Sequence, residues 1–186
     1  MAALQNNGDL NELVKRAQNG DGRAFDMIYE ELFTPVFRYI FVRVKSKVEA
    51  EDLAQTVFLK AYESLPRFRL QGRPLIAYFF TIARNTVIDY WRKSKRELSL
   101  EEREPELRDL PAASLDPIQK LDDKKNLEAI RKALHYLTED QQEVIVMKFI
   151  SDLPISEIVR VTGKSGEAVR QLQCRGLKAL KKYLKP

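Results

Sequence analysis

The chain contains a single cysteine, Cys174, and a single histidine, His135, in 186 residues. A lone thiol closes no internal disulfide, and one imidazole beside one thiol leaves no cluster with metal-ligand spacing. The same scarcity removes a nucleophile–histidine triad. No stretch has the form G-x-x-x-x-G-K-[ST], so no phosphate-binding loop is present to supply energy from a nucleotide. No apolar run approaches the ~20 residues that cross a bilayer. The first residues, MAALQNNGDLNEL, lack the basic start and apolar core of a signal peptide. These absences predict a protein without catalytic residues, cofactor or metal, suited to a reducing cytoplasm. Alternating apolar and polar residues are absent too, so no strand is predicted, and no internal repeat is visible.

Charge is abundant. Asp, Glu, Lys and Arg make up 32% of the residues, the net charge is +5 and the pI is about 9.2. The total is a weak pointer to a polyanionic partner, but its distribution says more. Residues 84–96 hold five bases and one acid, residues 97–123 nine acids and three bases, and residues 164–185 seven bases and one acid. Two segments that suit a polyanion flank one that does not.

Helical periodicity covers most of the chain. A first short helix ends before the break Asn19-Gly20-Asp21-Gly22. A longer pattern runs from Arg23 to about Val44, with Pro35 predicted to end or kink it at Thr34 unless burial on both sides keeps the halves collinear. From about Glu49 to Leu65, residues Ala50, Leu53, Ala54, Val57, Phe58, Ala61 and Leu65 form a buried stripe. Asp52, Gln55, Thr56 and Leu59 lie outside it or at its edge. Leu59, apolar among polar neighbours, is either an unremarkable exposed leucine or the anchor of a partner site with a polar rim.

The segment IAYFFTIARNTVIDYWRKSKR, Ile76 to Arg96, divides into two faces. Ile76, Phe79, Phe80, Ala83, Val87 and Trp91 form an apolar scaffold. Tyr78, Thr81, Asn85, Asp89 and Arg92 face the other way and lead into the basic run that includes Lys93. An aromatic, a hydroxyl, an amide, a carboxylate and guanidinium groups together can stack on a base, bond to base edges and meet phosphates. The same pattern also describes a core helix whose basic end suits the helix dipole. The loop before it, bounded by Pro66 and Pro74, carries Phe68, Arg69 and Arg73 without an acid. That mixture suits single-stranded nucleic acid, or an ordinary loop with a buried phenylalanine.

From Glu97 to about Pro117 the periodicity stops in an acidic, proline-containing stretch that reads as a flexible linker. Helical pattern resumes with Leu121, Leu127, Ile130, Leu134 and Leu137 on one face. Thr138 to Gln141 form a capping box opening a helix to about Ile150. Pro154 opens a short helix to Thr162, Gly163 ends it, and Ser165 caps a last helix to about Tyr183. That is a helix-turn-helix. In the last helix Val169, Leu172, Gly176, Leu180 and Leu177 are predicted to be buried. Lys164 and Ser165 sit where a helix N-terminus meets a DNA backbone. Glu167, Arg170, Gln171, Cys174, Arg175 and Lys178 lie on the outer side. Arg and Gln early in such a helix read guanine and adenine in a major groove, and later lysines suit phosphates. A plain helical hairpin with a solvated basic face is the alternative.

Taken together, DLAQTVFLKAY at Asp52 to Tyr62, IARNTVIDYWRK at Ile82 to Lys93, and PISEIVRVTGKSGEAVRQLQCRGLKAL near the C-terminus resemble the bacterial sigma-70 family, specifically the extracytoplasmic-function sigma factors of RNA polymerase. The resemblance implies an all-α fold of two small helical domains, residues 1–96 and 121–186, joined by a flexible acidic linker, residues 97–120. It implies that Asp52, Gln55, Thr56 and Leu59 dock on the clamp helices of the polymerase β′ subunit. The β flap of core polymerase is a further implied contact. Phe68, Arg69, Arg73, Tyr78, Thr81, Asn85, Asp89, Arg92 and Lys93 would read and hold the −10 promoter element. Lys164, Ser165, Glu167, Arg170, Gln171, Cys174, Arg175 and Lys178 would read the −35 element. The linker would thread toward the polymerase active-site channel. An anti-sigma protein is an implied inhibitor for many such chains. The sequence departs from the family pattern at Tyr78, often tryptophan, at Leu172-Gln173, often Arg-Leu, and at Gly176, often alanine. A stand-alone helix-turn-helix regulator of duplex DNA is the competing expectation.

Overall fold

The computed structural model describes residues 7–44, 46–69, 74–100 and 124–183. Arg73, Leu121 and residues 101–120 of the expected linker lie outside these. Eight α-helices are described: α1 Asn7–Gln18, α2 Gly22–Phe41, α3 Lys47–Ser64, α4 Leu75–Leu100, α5 Lys124–His135, α6 Glu139–Ile145, α7 Ile155–Thr162 and α8 Gly166–Tyr183.

The first four helices make one module. Asp21 caps α2 by accepting from the Ala24 N–H, and Arg16 pairs with the same carboxylate at 2.7 Å. That hydrogen bond from Arg16 lowers the Asp21 pKa. Pro35 does not end α2. Leu32, Val36, Tyr39 and Ile40 on either side of it are fully buried, so packing offsets the ~3 kcal/mol cost of an interior proline. Ser46 and Glu49 form a capping box that starts α3, with Glu49 N–H to Ser46 Oγ at 3.2 Å and Ser46 N–H to Glu49 Oε2 at 3.0 Å. α4 packs against α1, α2 and α3. Its expected stripe is buried at Ile76, Phe79, Phe80, Ala83 and Val87. Trp91 is only half-buried, because its indole N–H reaches the Arg43 carbonyl at 3.2 Å at the module's edge. The helix continues to Leu100, four residues into the stretch where periodicity stops.

The second module is α5 to α8. The Thr138–Gln141 capping box opens α6, which passes at Val146–Ile150 into one wider π-helical turn. The Ser151 N–H there reaches back five residues to the Val146 carbonyl at 3.1 Å. Gly163 ends α7 at φ 69°, a left-handed conformation that suits glycine, and its N–H bonds to the Val159 carbonyl. Ser165 Oγ accepts from the Ala168 N–H at 3.1 Å and starts α8. Val169 and Gly176 are buried in α8, while Leu172 and Leu180 are half-buried. Leu177 is exposed, contrary to its expected burial, because the seam against α6 is narrow and centres on Gly176.

The modules are not separate in this structure. α7 packs across α4, and the π-helical turn packs on α2. Buried side chains from Leu10 to Val169 form one continuous apolar cluster.

Two features of the second module are testable. A Cβ on Gly176 would lie 2.9 Å from Ile145 Cγ1. Alanine's gain of about 1 kcal/mol in helix propensity then competes with an overpacking cost of about 1–3 kcal/mol. Gly176→Ala is expected to lower stability in urea unfolding, and a gain would show that α6 yields without cost. The buried Glu157 carboxyl is raised above its ordinary pKa of 4.5 by burial, against the opposing Arg160 guanidinium at 2.7 Å. A raised folded pKa contributes stability below the unfolded value, and this is lost as the pH rises through the folded value. Glu157→Gln is therefore expected to gain stability relative to the wild type as the pH rises above 4.5, in parallel urea titrations.

Candidate nucleic-acid and polymerase interfaces

The apolar face of α4 fixes the direction of its other face. Thr81, Asn85, Asp89, Arg92 and Lys93 are exposed along one side of the helix. Thr81 Oγ1 donates to the Ala77 carbonyl at 2.7 Å, leaving its lone pairs outward. Asp89 and Arg92 pair at 3.4 Å with both side chains about two-thirds exposed (63% and 65%). A pair so exposed is worth little and can be exchanged for a ligand.

Tyr78 is half-buried, and its ring packs on Phe68 with centroids 4.4 Å apart. Its hydroxyl is hydrogen-bonded to Ser64 Oγ, a contact that needs the phenol. The loop is also held from the opposite side. Gln18 Nε2 donates to the carbonyls of Leu65 and Phe68 at 2.9 and 2.7 Å. Arg69 is exposed beyond this anchor. Gln18 was not legible in the sequence, because a polar residue in a last helical turn carries no signal of a partner 47 and 50 residues away.

On α3, Asp52, Gln55, Thr56 and Leu59 share one side, and Leu59 is 59% exposed. Thr56 Oγ1 donates back to the Asp52 carbonyl at 2.9 Å. Tyr62, 56% exposed and edge-on to Phe25, extends this apolar spot by one turn. The spacing i, i+3 from Leu59 could have found it.

α8 presents Glu167, Arg170, Gln171, Cys174, Arg175 and Lys178 to solvent. Gln171 Nε2 reaches Glu167 Oε1 at 3.4 Å. Lys164 is held by Asp140 at 2.9 Å, and Ser165 is committed to its cap. The −10 and −35 candidates thus lie on two different exposed surfaces.

A third group escaped the sequence reading. Glu143 of α6 is buried and meets Tyr39 of α2, Arg43 just past the end of α2, and Arg84 of α4. Burial pushes the Tyr39 phenol well above its ordinary pKa. Among the described residues no group of His, Cys, Asp and Glu could hold a metal ion, and no helix is long and apolar enough to cross a membrane.

Comparison with known proteins fits this layout. Residues 28–97 match the family model for Sigma-70 region 2, and residues 127–180 that for Sigma-70 region 4. The chain is 34% identical to the extracytoplasmic-function sigma factor BldN of Streptomyces coelicolor, over 98% of this chain and 69% of that protein. It is 30% identical to SigX of Bacillus subtilis, over 86% of this chain and 83% of that one. The fold superposes on that of CnrH, solved in complex with the cytosolic domain of CnrY, with a TM-score of 0.73 at 22% identity, covering 95% of this chain and 97% of that chain. Two region models in the right order, a relative 34% identical over 98% of this chain and the paired helical modules make this chain a member of the extracytoplasmic-function group of sigma-70 RNA polymerase sigma factors.

Proposed function

We propose a division of labour within this sigma factor. α3 docks on core polymerase through Asp52, Gln55, Thr56 and Leu59, on the clamp helices of β′. The β flap is a further contact on core polymerase. The loop with Phe68, Arg69 and Arg73, and the α4 face with Tyr78, Thr81, Asn85, Asp89, Arg92 and Lys93, capture the opened strand of the −10 element. Helix α8 enters the major groove at the −35 element, with Arg170 and Gln171 at base edges. Lys164, Ser165, Glu167, Cys174, Arg175 and Lys178 line the same surface. The observation that carries this reading is α4 itself, with Ile76, Phe79, Phe80, Ala83 and Val87 buried on one face and Thr81, Asn85, Asp89, Arg92 and Lys93 exposed on the other.

Opening DNA costs about 1.4 kcal/mol per stacked step. With no phosphate loop in the chain, binding must supply that cost, so promoter opening needs core polymerase. The cytoplasm is where this work takes place. RpoE of Bartonella quintana has been solved with the anti-sigma factor NepR. An inhibitor of that kind is a candidate partner for this chain as well.

Asn85→Ala combined with Asp89→Ala is expected to impair promoter opening, read by permanganate footprinting, while leaving the affinity for core polymerase unchanged. Equal loss of both would remove α4 from the −10 site. Arg170→Ala or Gln171→Ala is expected to relax base preference upstream by about 1–3 kcal/mol per lost bidentate contact. An unchanged preference in a randomised upstream library would take them out of the reader. Tight, polymerase-independent duplex binding by the whole chain would instead favour a stand-alone regulator.

A further inference from the structure

One side-chain amide of α1 holds two carbonyls at the end of α3. Gln18, the last residue of α1, donates through Nε2 to the Leu65 carbonyl at 2.9 Å and to the Phe68 carbonyl at 2.7 Å. These carbonyls bracket the 3-10 turn Leu65–Arg67, through which the chain leaves α3. The Phe68 N–H also reaches the Leu65 carbonyl, at 2.9 Å, so both lone pairs of that oxygen are engaged. A single 3-10 turn is weakly held by its own hydrogen bonds. This one is held from two sides. On the α4 side the Tyr78 ring packs on Phe68 and the Tyr78 hydroxyl bonds to Ser64. On the α1 side stands Gln18.

The end of α1 is itself fixed. Leu10 and Val14 are buried, and Leu13 and Ala17 pack against the same core. Gly20, at φ 89°, closes the helix with its N–H on the Ala17 carbonyl at 3.0 Å, and the Asp21 N–H reaches the Arg16 carbonyl at 3.1 Å. The Arg16–Asp21 ion pair lies across the same turn. A stiff backbone therefore presents the Gln18 amide, and both of its N–H groups are spent on the turn.

We propose that Gln18 is a positioning residue for the −10 reader. It fixes the direction in which Phe68 and Arg69 leave α3, and with it the place of the loop beside the exposed face of α4. Helix α1 thereby acts on base preference without touching DNA. The proposal rests on the −10 assignment of the loop and α4 given above. It goes beyond the family match, because Gln18 lies ahead of residue 28, where the match to Sigma-70 region 2 begins. Without the two donors the turn is held from α4 alone, and the Phe68 carbonyl loses its partner from α1. The loop then takes several settings against Tyr78, Thr81 and Asn85, and a correct base gains less over a wrong one.

Gln18→Met keeps the length of the side chain and removes both donors. Gln18→Glu keeps its shape and turns a carboxylate toward the two carbonyls. Each full-length variant is assembled with core polymerase and offered promoter libraries randomised at the −10 or at the −35 element. Both variants are expected to lower the preference for the best base at the most selective −10 position about tenfold, the scale of one or two ordinary hydrogen bonds. The −35 preference and the affinity for core polymerase are expected to stay at the wild-type level. A role in stability alone moves these readouts together, and a space-filling role leaves Gln18→Glu like the wild type. Far-UV circular dichroism shows which variants keep their helix content, and a single folded variant is enough to score. An unchanged −10 preference, an equal loss at −10 and −35, or loss of helix content in both variants overturns the proposal. Asn85→Ala combined with Asp89→Ala separates the two levels. If that variant relaxes the −10 preference and the Gln18 variants do not, the anchor fails and the reader stands. If it too changes nothing, the reader assignment fails and the anchor falls with it.

Discussion

Burial of one face of α4 is the constraint from which the rest follows. Phe79, Phe80, Ala83 and Val87 are completely enclosed by neighbouring helices. Each large side chain among them gains about 1.5–3 kcal/mol from leaving water. Rotating the helix by one residue, 100°, would expose these rings and drive Asn85 or Asp89 into the core without partners. Losing the apolar burial and stranding a carboxylate would cost more than the whole net stability of a typical domain. The rotational setting of the polar face is therefore fixed by residues that never touch a ligand. The same face is reached from the loop, which Gln18 and the Phe68–Tyr78 contact pin at its base.

The exposed face combines a rigid frame with replaceable partners. Thr81 spends its proton on the backbone, and Asp89 and Arg92 hold each other only loosely. On the proposed reading, a strand arriving at this surface exchanges one solvent-screened ion pair for phosphate and base contacts, so little is lost in making room. Tyr78 differs. Its hydroxyl is paired with Ser64 and its ring with Phe68, so it belongs as much to the anchoring of the loop as to the ligand-facing row.

Short-range chemistry was readable in the sequence, and long-range polar chemistry was not. The α4 stripe, the Thr138 capping box, the Gly163 turn and the Ser165 cap all follow from residue types a few positions apart, and each is present. Pro35 was readable only up to its local penalty, since the burial that offsets it comes from other helices. The π-helical turn after α6 and the extension of α4 to Leu100 have no simple compositional sign. Gly176 looked like a lapse in helix propensity, and the reason for it is Ile145, 31 positions away. Tyr39, Arg43, Arg84 and Glu143 each had an ordinary local reading. Nothing in periodicity pairs a carboxylate with a phenol and a guanidinium some hundred residues earlier.

The polar character of the contact between the modules is itself informative. A buried ion cluster gives up much of its attraction to desolvation, and an apolar interface of equal size would hold as well or better. An apolar interface would also leave two bare hydrophobic faces whenever the modules separated. Here two guanidinium groups and a carboxylate stand at the edge of that contact, while its centre is apolar. The apolar cluster continues through the contact and gives the closed state its packing. The charges at its edge limit how much is lost on opening.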